Sequence, residues 1–224
     1  MKGKLVCYIL VLSILMMTGC KQADQKFISE GRIEYDVTVV DPTSSMANMV
    51  PRKMTIKFKD NKSSATMSAG MGLFSSSFIS DPDARTHTVC LKLLNKKMVA
   101  VQNEQDIQQE NDAFPCELEM TQETKIIAGY TCYKVHVKPK VAGASEFDVY
   151  YTKQLNLQQA NFANIFHNIE GVLMEYQIKK MGFELHFIAT SVTKESIDND
   201  VFTYTSDYKK ISNQEMNNIF RDLQ

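Results

Sequence analysis

Side chains able to do chemistry are few in this sequence, and their spacing mostly excludes reactions. Four histidines occur: His87, His136, His167 and His186. None forms the H-E-x-x-H spacing that sets two imidazoles on one helical face around zinc. The chain has no G-x-S-x-G elbow, no Walker loop, no dinucleotide fingerprint and no C-x-x-C pair. Cys132 and His136 lie four apart, on one face of a strand, where a thiol–imidazole pair is conceivable. No Gly-rich turn that could supply oxyanion donors accompanies them. No catalytic residue, metal ligand set or cofactor is expected, and the chain reads as non-enzymatic. Methionine is the one excess, at 13 residues. Outside the first 19 residues, Met46, Met49, Met54, Met67 and Met71 fall in one stretch. They read as ordinary packing, as an adaptable apolar surface for acyl chains or a partner, or as thioether ligands for Cu(I). The last reading rests on Met46-Ala-Asn-Met49.

The N-terminus carries more. Lys2 and Lys4 precede an uncharged run from Leu5 to Gly19. That run is shorter than the roughly 20 apolar residues a spanning helix needs, and it fits a secretory signal. It ends in Leu15-Met16-Met17-Thr18-Gly19-Cys20, which resembles the lipobox of bacterial lipoproteins, with Met17 where Leu is commoner. The resemblance implies cleavage before Cys20 and acylation of its thiol and new amine. Residues 1–19 are then a signal peptide and 20–30 a polar lipidated tether. Lys21, not Asp, follows the cysteine, which favours the outer membrane facing the periplasm and leaves surface exposure open.

Removing 19 of 224 residues leaves 205, which suits a single domain over 31–224. The chain has 25 Lys and Arg against 26 Asp and Glu; losing Lys2 and Lys4 leaves 23 against 26. That balance gives no basic footprint for nucleic acid. Cys90, Cys116 and Cys132 remain beside the lipidated cysteine, in a compartment that permits disulfides. Cys116–Cys132 is the pairing closest in sequence; other pairings, or three free thiols, stay open.

The elements that must position these residues are mostly strands. Ile33, Tyr35, Val37 and Val39 alternate with polar residues, as do Met54, Ile56 and Phe58. That is the period of a strand with one buried face. Asp60-Asn61-Lys62 reads as a turn, and Ala65, Met67 and Ala69 as a returning strand. Further strands are expected over 88–94, 97–102, 117–121, 125–138, 147–152, 171–179 and 183–194, with hairpin connections at Asn95-Lys96 and Lys180-Met181-Gly182. Helices are expected over 158–168 and about 212–222, the second opened by a Ser212–Glu215 capping box. Stretches 41–51 and 71–85 read as long irregular loops. The fold class is mainly β (α+β). A strongly curved antiparallel sheet forms a half-open barrel, with short helices covering or plugging its concave side.

Three stretches resemble a family. Lys125-Ile-Ile-Ala-Gly-Tyr-Thr-Cys-Tyr-Lys134 is similar to its "K-x-I-x-G-Y" strand, and Phe147-Asp-Val-Tyr-Tyr-Thr-Lys153 to its "W-Y-T" strand, with Tyr150 where Trp is usual. Ile169-Glu-Gly-Val-Leu-Met-Glu175 resembles the segment that names the GLPGLI proteins, with Glu170 in place of Pro. Order and spacing also resemble the broader group of envelope lipoproteins with LolA/LolB-like half-barrels, over roughly residues 30–195. The resemblance implies an incomplete barrel around helices, an apolar concave face that holds acyl chains, and no catalytic residue. In that setting Gly129 is expected at a bulge and Gly171 at a close backbone approach.

The leading expectation is a membrane-anchored, non-enzymatic lipoprotein that binds a lipid or an acylated protein. Its cavity residues would be Met54, Ile56, Phe58, Met67, Met71, Leu73, Phe74 and Phe78. The alternative is a structural or protein-interaction module with a packed interior, contacting partners through 41–51 and 71–85. Copper binding by Met46 and Met49 is the third reading.

Overall fold

The computed structural model describes residues 28–40, 50–180 and 183–222. The expected signal peptide, Cys20 and the Met46–Met49 pair lie outside the described residues. Twelve strands form one curved, unclosed sheet. They are β1 (Glu30–Val39), β2 (Lys53–Lys59), β3 (Lys62–Ala69), β4 (Phe74–Asp81), β5 (Thr86–Leu93), β6 (Lys96–Gln102), β7 (Cys116–Ile127), β8 (Tyr130–Pro139), β9 (Phe147–Thr152), β10 (Val172–Lys180), β11 (Phe183–Thr193) and β12 (Lys209–Lys210). Their order is β12-β6-β5-β4-β3-β2-β1-β11-β10-β9-β8-β7. All neighbours are antiparallel except β12, which runs parallel to β6. The expected half-open barrel is therefore the observed fold. Among the described residues two helices accompany it, α1 (Glu104–Asp112) and α2 (Asn213–Asp222).

Alternation places the core as expected. Ile33, Tyr35 and Val37 are buried on the face shared with Met54, Phe58, Leu185, Phe187 and Ala189. Helix α2 lies over that inner face and adds Met216 and Phe220 to the same cluster. It starts where the capping box predicts: the Glu215 N–H donates to Ser212 Oγ at 3.1 Å, and the Ser212 N–H donates to Glu215 Oε2 at 2.9 Å.

Several expectations change. The single strand over 125–138 is two, because Ala128 (φ 49°) and Gly129 (φ 86°) form the tight turn of a β7–β8 hairpin. Two successive positive φ values suit the twist of the flanking strands. The bulge expected at Gly129 lies instead between Met120 and Thr124. The loop expected over 71–85 contains β4, whose serines hide the alternation. It is held by pairing to β3 and β5 on both sides, a context that overrides weak strand propensity. No helix forms over 158–168. Phe162, Asn164, His167 and Ile169 each donate to the carbonyl three residues back, giving consecutive turns. Asn161 and Asn164 drive this: the buried Asn161 amide donates to the Ile169 and Gly171 carbonyls at 2.8 and 2.9 Å. Asn164 Oδ1 accepts from the Phe166 N–H at 2.9 Å. Side chains that capture backbone groups in this way compete with the helix.

Candidate ligand-binding clefts

Six of the eight expected cavity residues share the inner face. Met54 stands opposite Met67, Ala65 opposite Phe78, and Ala69 opposite Phe74. Met54, Phe58, Met67 and Phe78 are 4, 0, 2 and 9% exposed, and Ile56 and Phe74 pack half-buried against the same cluster. That part of the concave face is filled by its own side chains and by α2. Met71 and Leu73 are not with them. Met71 is fully exposed in the short 3-10 turn Gly70–Gly72, and Leu73 is 55% exposed beside it.

Open space lies instead on either side of α1. This helix links β6 to β7 across the opening between the two ends of the unclosed sheet, and of its nine residues only Ile107 is buried. Its start is fixed by reciprocal 3.0 Å bonds between Asn103 and Asp106, and Glu104 and Asp106 suit the positive end of its dipole. One cleft, about 830 Å³, runs between α1 and the turn-rich chain after β9. Ile107, Leu155, Leu157, Phe162 and Ile169 form its apolar lining, and Arg85, Glu104, Lys153 and Glu170 its charged rim. Arg85 pairs with Glu104 at 2.7 Å. A second cleft, about 710 Å³, opens at the other end of α1, lined by Val40, Phe114, Phe147, Ile165 and Ile178 with Glu110, Lys179 and Glu184. Asn111 borders both. Both volumes fall in the roughly 300–1,000 Å³ range of small-molecule sites. None of the eight expected residues lines either cleft. The Asn103-x-x-Asp106 cap was the available signal for α1; nothing local marks the 153–171 segment as its partner.

The thiols lie apart from one another. Cys90, Cys116 and Cys132 are free. Cys116 pairs in register with Pro139, while Cys132 faces Lys125. Seven positions of β8 separate the two sites, roughly 24 Å at strand rise, whereas a disulfide needs Cα atoms within about 7 Å. The expected Cys116–Cys132 bond is therefore not formed. Burial pushes the Cys90 and Cys132 thiols up to about 11, opposite to what a nucleophile needs. Cys132 Sγ donates to the Tyr130 carbonyl at 3.4 Å, and His136 is engaged elsewhere, so no thiol–imidazole pair exists. Among the described residues, no group of three His, Cys, Asp or Glu side chains is placed to hold a metal ion.

His136 sits in an ion-pair lattice on the outer face. Its Nδ1 is 2.8 Å from Asp148 Oδ1 and its Nε2 is 2.8 Å from Glu146 Oε2. Lys134 also reaches Asp148 at 3.1 Å, and Lys138 reaches Glu119 at 2.6 Å. Only the imidazolium can donate from both nitrogens, so the hydrogen bonds to Asp148 and then Glu146 raise the His136 pKa. A raised native pKa adds stability fully present below the unfolded value of about 6.5, and that stability is lost as pH rises through the native value. His136→Gln is therefore expected to lower the thermal midpoint more near pH 6 than near pH 9. Equal losses at both would show that the imidazolium contributes nothing.

No family model and no curated protein matches the chain. The GLPGLI-like motifs thus stand as local features: a hairpin turn at Gly129 and a close approach at Gly171. Among solved structures the chain is similar to MucB. MucB in complex with MucA(peri) gives 9% identity and a TM-score of 0.34, with 80% of this chain and 55% of that one covered. MucB alone gives 11% and 0.33, covering 83% and 60%. The MucA/MucB complex of Pseudomonas aeruginosa gives 8% and 0.36, covering 81% and 58%. The chain spans less than two thirds of the length of these structures. Likeness at this level transfers no ligand, partner or location.

Proposed function

We propose that this protein is a non-enzymatic envelope lipoprotein, anchored through Cys20 to the outer membrane and facing the periplasm, whose half-barrel binds a hydrophobic ligand at its mouth. The ligand class is an acyl chain, of a lipid or of an acylated protein. The reading rests on one observation: two open, partly apolar clefts flank a helix that buries only Ile107. The lipobox and short tether support it, because they keep the domain within reach of lipid. The filled face around Phe58 moves the proposed site away from the Met-rich strands and toward α1 and the 153–171 segment.

Native mass spectrometry of the mature protein, extracted in mild detergent, tests this. Wild type is expected to carry acyl lipid that survives gentle desolvation. The double variant Phe162→Gln, Ile165→Gln changes one half-buried residue in each cleft and is expected to lose most of it while keeping its thermal midpoint within a few degrees. Lipid-free wild type that also takes up no added phospholipid would overturn the proposal.

The packed inner face favours a second reading, a protein-interaction module that carries no internal ligand. Cross-linking in intact envelopes separates the two: a stoichiometric protein partner on a lipid-free chain supports the second.

A further inference from the structure

The chain after β11 does not go straight to α2. Ile197 accepts from Lys59 Nζ at 3.1 Å, and the residues that follow cross the outer face of the sheet. Phe202, Tyr204 and Tyr208 pack there on Ile79, Cys90 and Val99. Strand β12 then runs along the β6 edge, and α2 lands on the inner face. One segment thus straps the outer face and turns over the edge of the sheet.

Between strap and sheet lies a groove of about 570 Å³, within the range of ligand sites. Its floor is paved with hydroxyls. Thr55, Thr66 and Ser77 stand side by side across β2, β3 and β4, with Ser64 and Ser68 also facing out from β3. Thr66 Oγ1 and Ser77 Oγ are 3.1 Å apart, and Ser64 is 5% exposed. The wall is Thr203, Tyr204, Thr205 and Tyr208, the two rings meeting edge to face at 6.4 Å. Lys53, Lys57 and Lys97 line it; no Asp or Glu is among the lining residues, but Glu34 accepts from the Thr55 hydroxyl at 2.8 Å and Asp207 from the Thr205 hydroxyl at the border. Lys53 pairs with Asp36 and Lys97 with Asp207. Among the described residues no carboxylate lies within ion-pair distance of Lys57.

Each hydroxyl both donates and accepts, so a paved floor suits a ligand with many hydroxyls of its own. Tyrosine rings offer amphipathic faces for sugar C–H groups with little entropy to lose. An unpaired lysine at such a floor selects negative charge. We infer that this groove is a binding site for an acidic saccharide, separate from the clefts at the mouth.

Calorimetric titration of the mature protein in detergent with tetragalacturonate, neutral chitotetraose and inorganic phosphate tests the inference. Tetragalacturonate is expected to bind with a submillimolar constant, and the other two at least about tenfold more weakly. Lys57→Gln and Tyr204→Leu, the latter keeping apolar packing, are each expected to weaken it about tenfold. Lys138→Gln, remote from the groove, should leave it unchanged. Thermal melts establish that each variant is folded. Absent tetragalacturonate binding, phosphate or chitotetraose binding as tightly, or wild-type affinity in both groove variants would each overturn the assignment.

Discussion

Cells fed radiolabelled palmitate are expected to label the wild-type protein and to leave Cys20→Ala unlabelled. In the proposed function the Cys20 thiol takes the first acyl chains, at an N-terminus created by cleavage before it. Each buried methylene contributes about 0.8 kcal/mol; one chain binds marginally, but two or three hold firmly. Residues 21–224, delivered by the signal of a non-lipidated secreted protein, should therefore be recovered in the soluble fraction. The wild type should pellet with membranes after a high-salt wash. A labelled Cys20→Ala variant, or a lipid-free chain that pellets, would remove the anchor from the proposed function. The described domain begins at Ile28, eight residues on, so an extended tether reaches at most roughly 28 Å.

A second large effect is expected at Gly171. Its φ is +142°, and a β-carbon there would stand 2.5 Å from the Thr152 carbonyl oxygen and 2.8 Å from the Tyr151 ring. Thr152 and Tyr151 are 0 and 5% exposed, and Thr152 is the register partner of Val172. The Thr152 carbonyl is backbone and cannot yield without disturbing the β9–β10 pairing. The Gly171 carbonyl also accepts from Asn161, which shapes the turns lining the larger cleft. Gly171→Ala is expected to cost about 3 kcal/mol or more, a large share of the 5–15 kcal/mol typical of a folded domain. Gly129→Ala is the control. Its φ is also positive, but nothing lies within 4 Å of the added carbon, so only about 1–2 kcal/mol of backbone cost applies. Urea midpoints measure both, and equal shifts would show that the contact at Gly171 relaxes freely.

Strands with one buried face were legible in the sequence. Residues 33–39 and 53–58 alternate because the sheet buries every second side chain, and Phe147–Thr152 emerges with the expected ends. Where both faces are covered, the pattern fades. β4 has Phe74 and Phe78 inward, Ile79 outward beneath the strap, and serine between them. α1 has one apolar residue and is held by its cap and position. The 158–168 segment carries apolar residues at helical spacing, yet its asparagines bond to backbone and produce turns. The site was harder for a separate reason. Alternation identifies which residues share a face and is silent on whether that face is filled. Met54, Phe58 and Met67 were correctly grouped, and their space is taken up by α2. The larger cleft joins segments about fifty residues apart and the second joins Val40 to segments as far on as Glu184, and no local pattern links them.

The seam between β1 and β11 has a consequence for how the chain reaches its structure. Arg32 meets Thr193 and Val39 meets Leu185, partners roughly 150 residues apart in sequence. Closing a loop of that length costs entropy before any ladder bond compensates, and such non-local pairings slow folding. As the chain is synthesised N-terminus first, β1 to β6 emerge as a consecutive meander while β11 is still behind. Throughout that interval the second edge of β1 has no neighbour, and bare edges recruit foreign strands. The order of emergence thus makes the middle of the finished sheet its most vulnerable border while the chain is still being made.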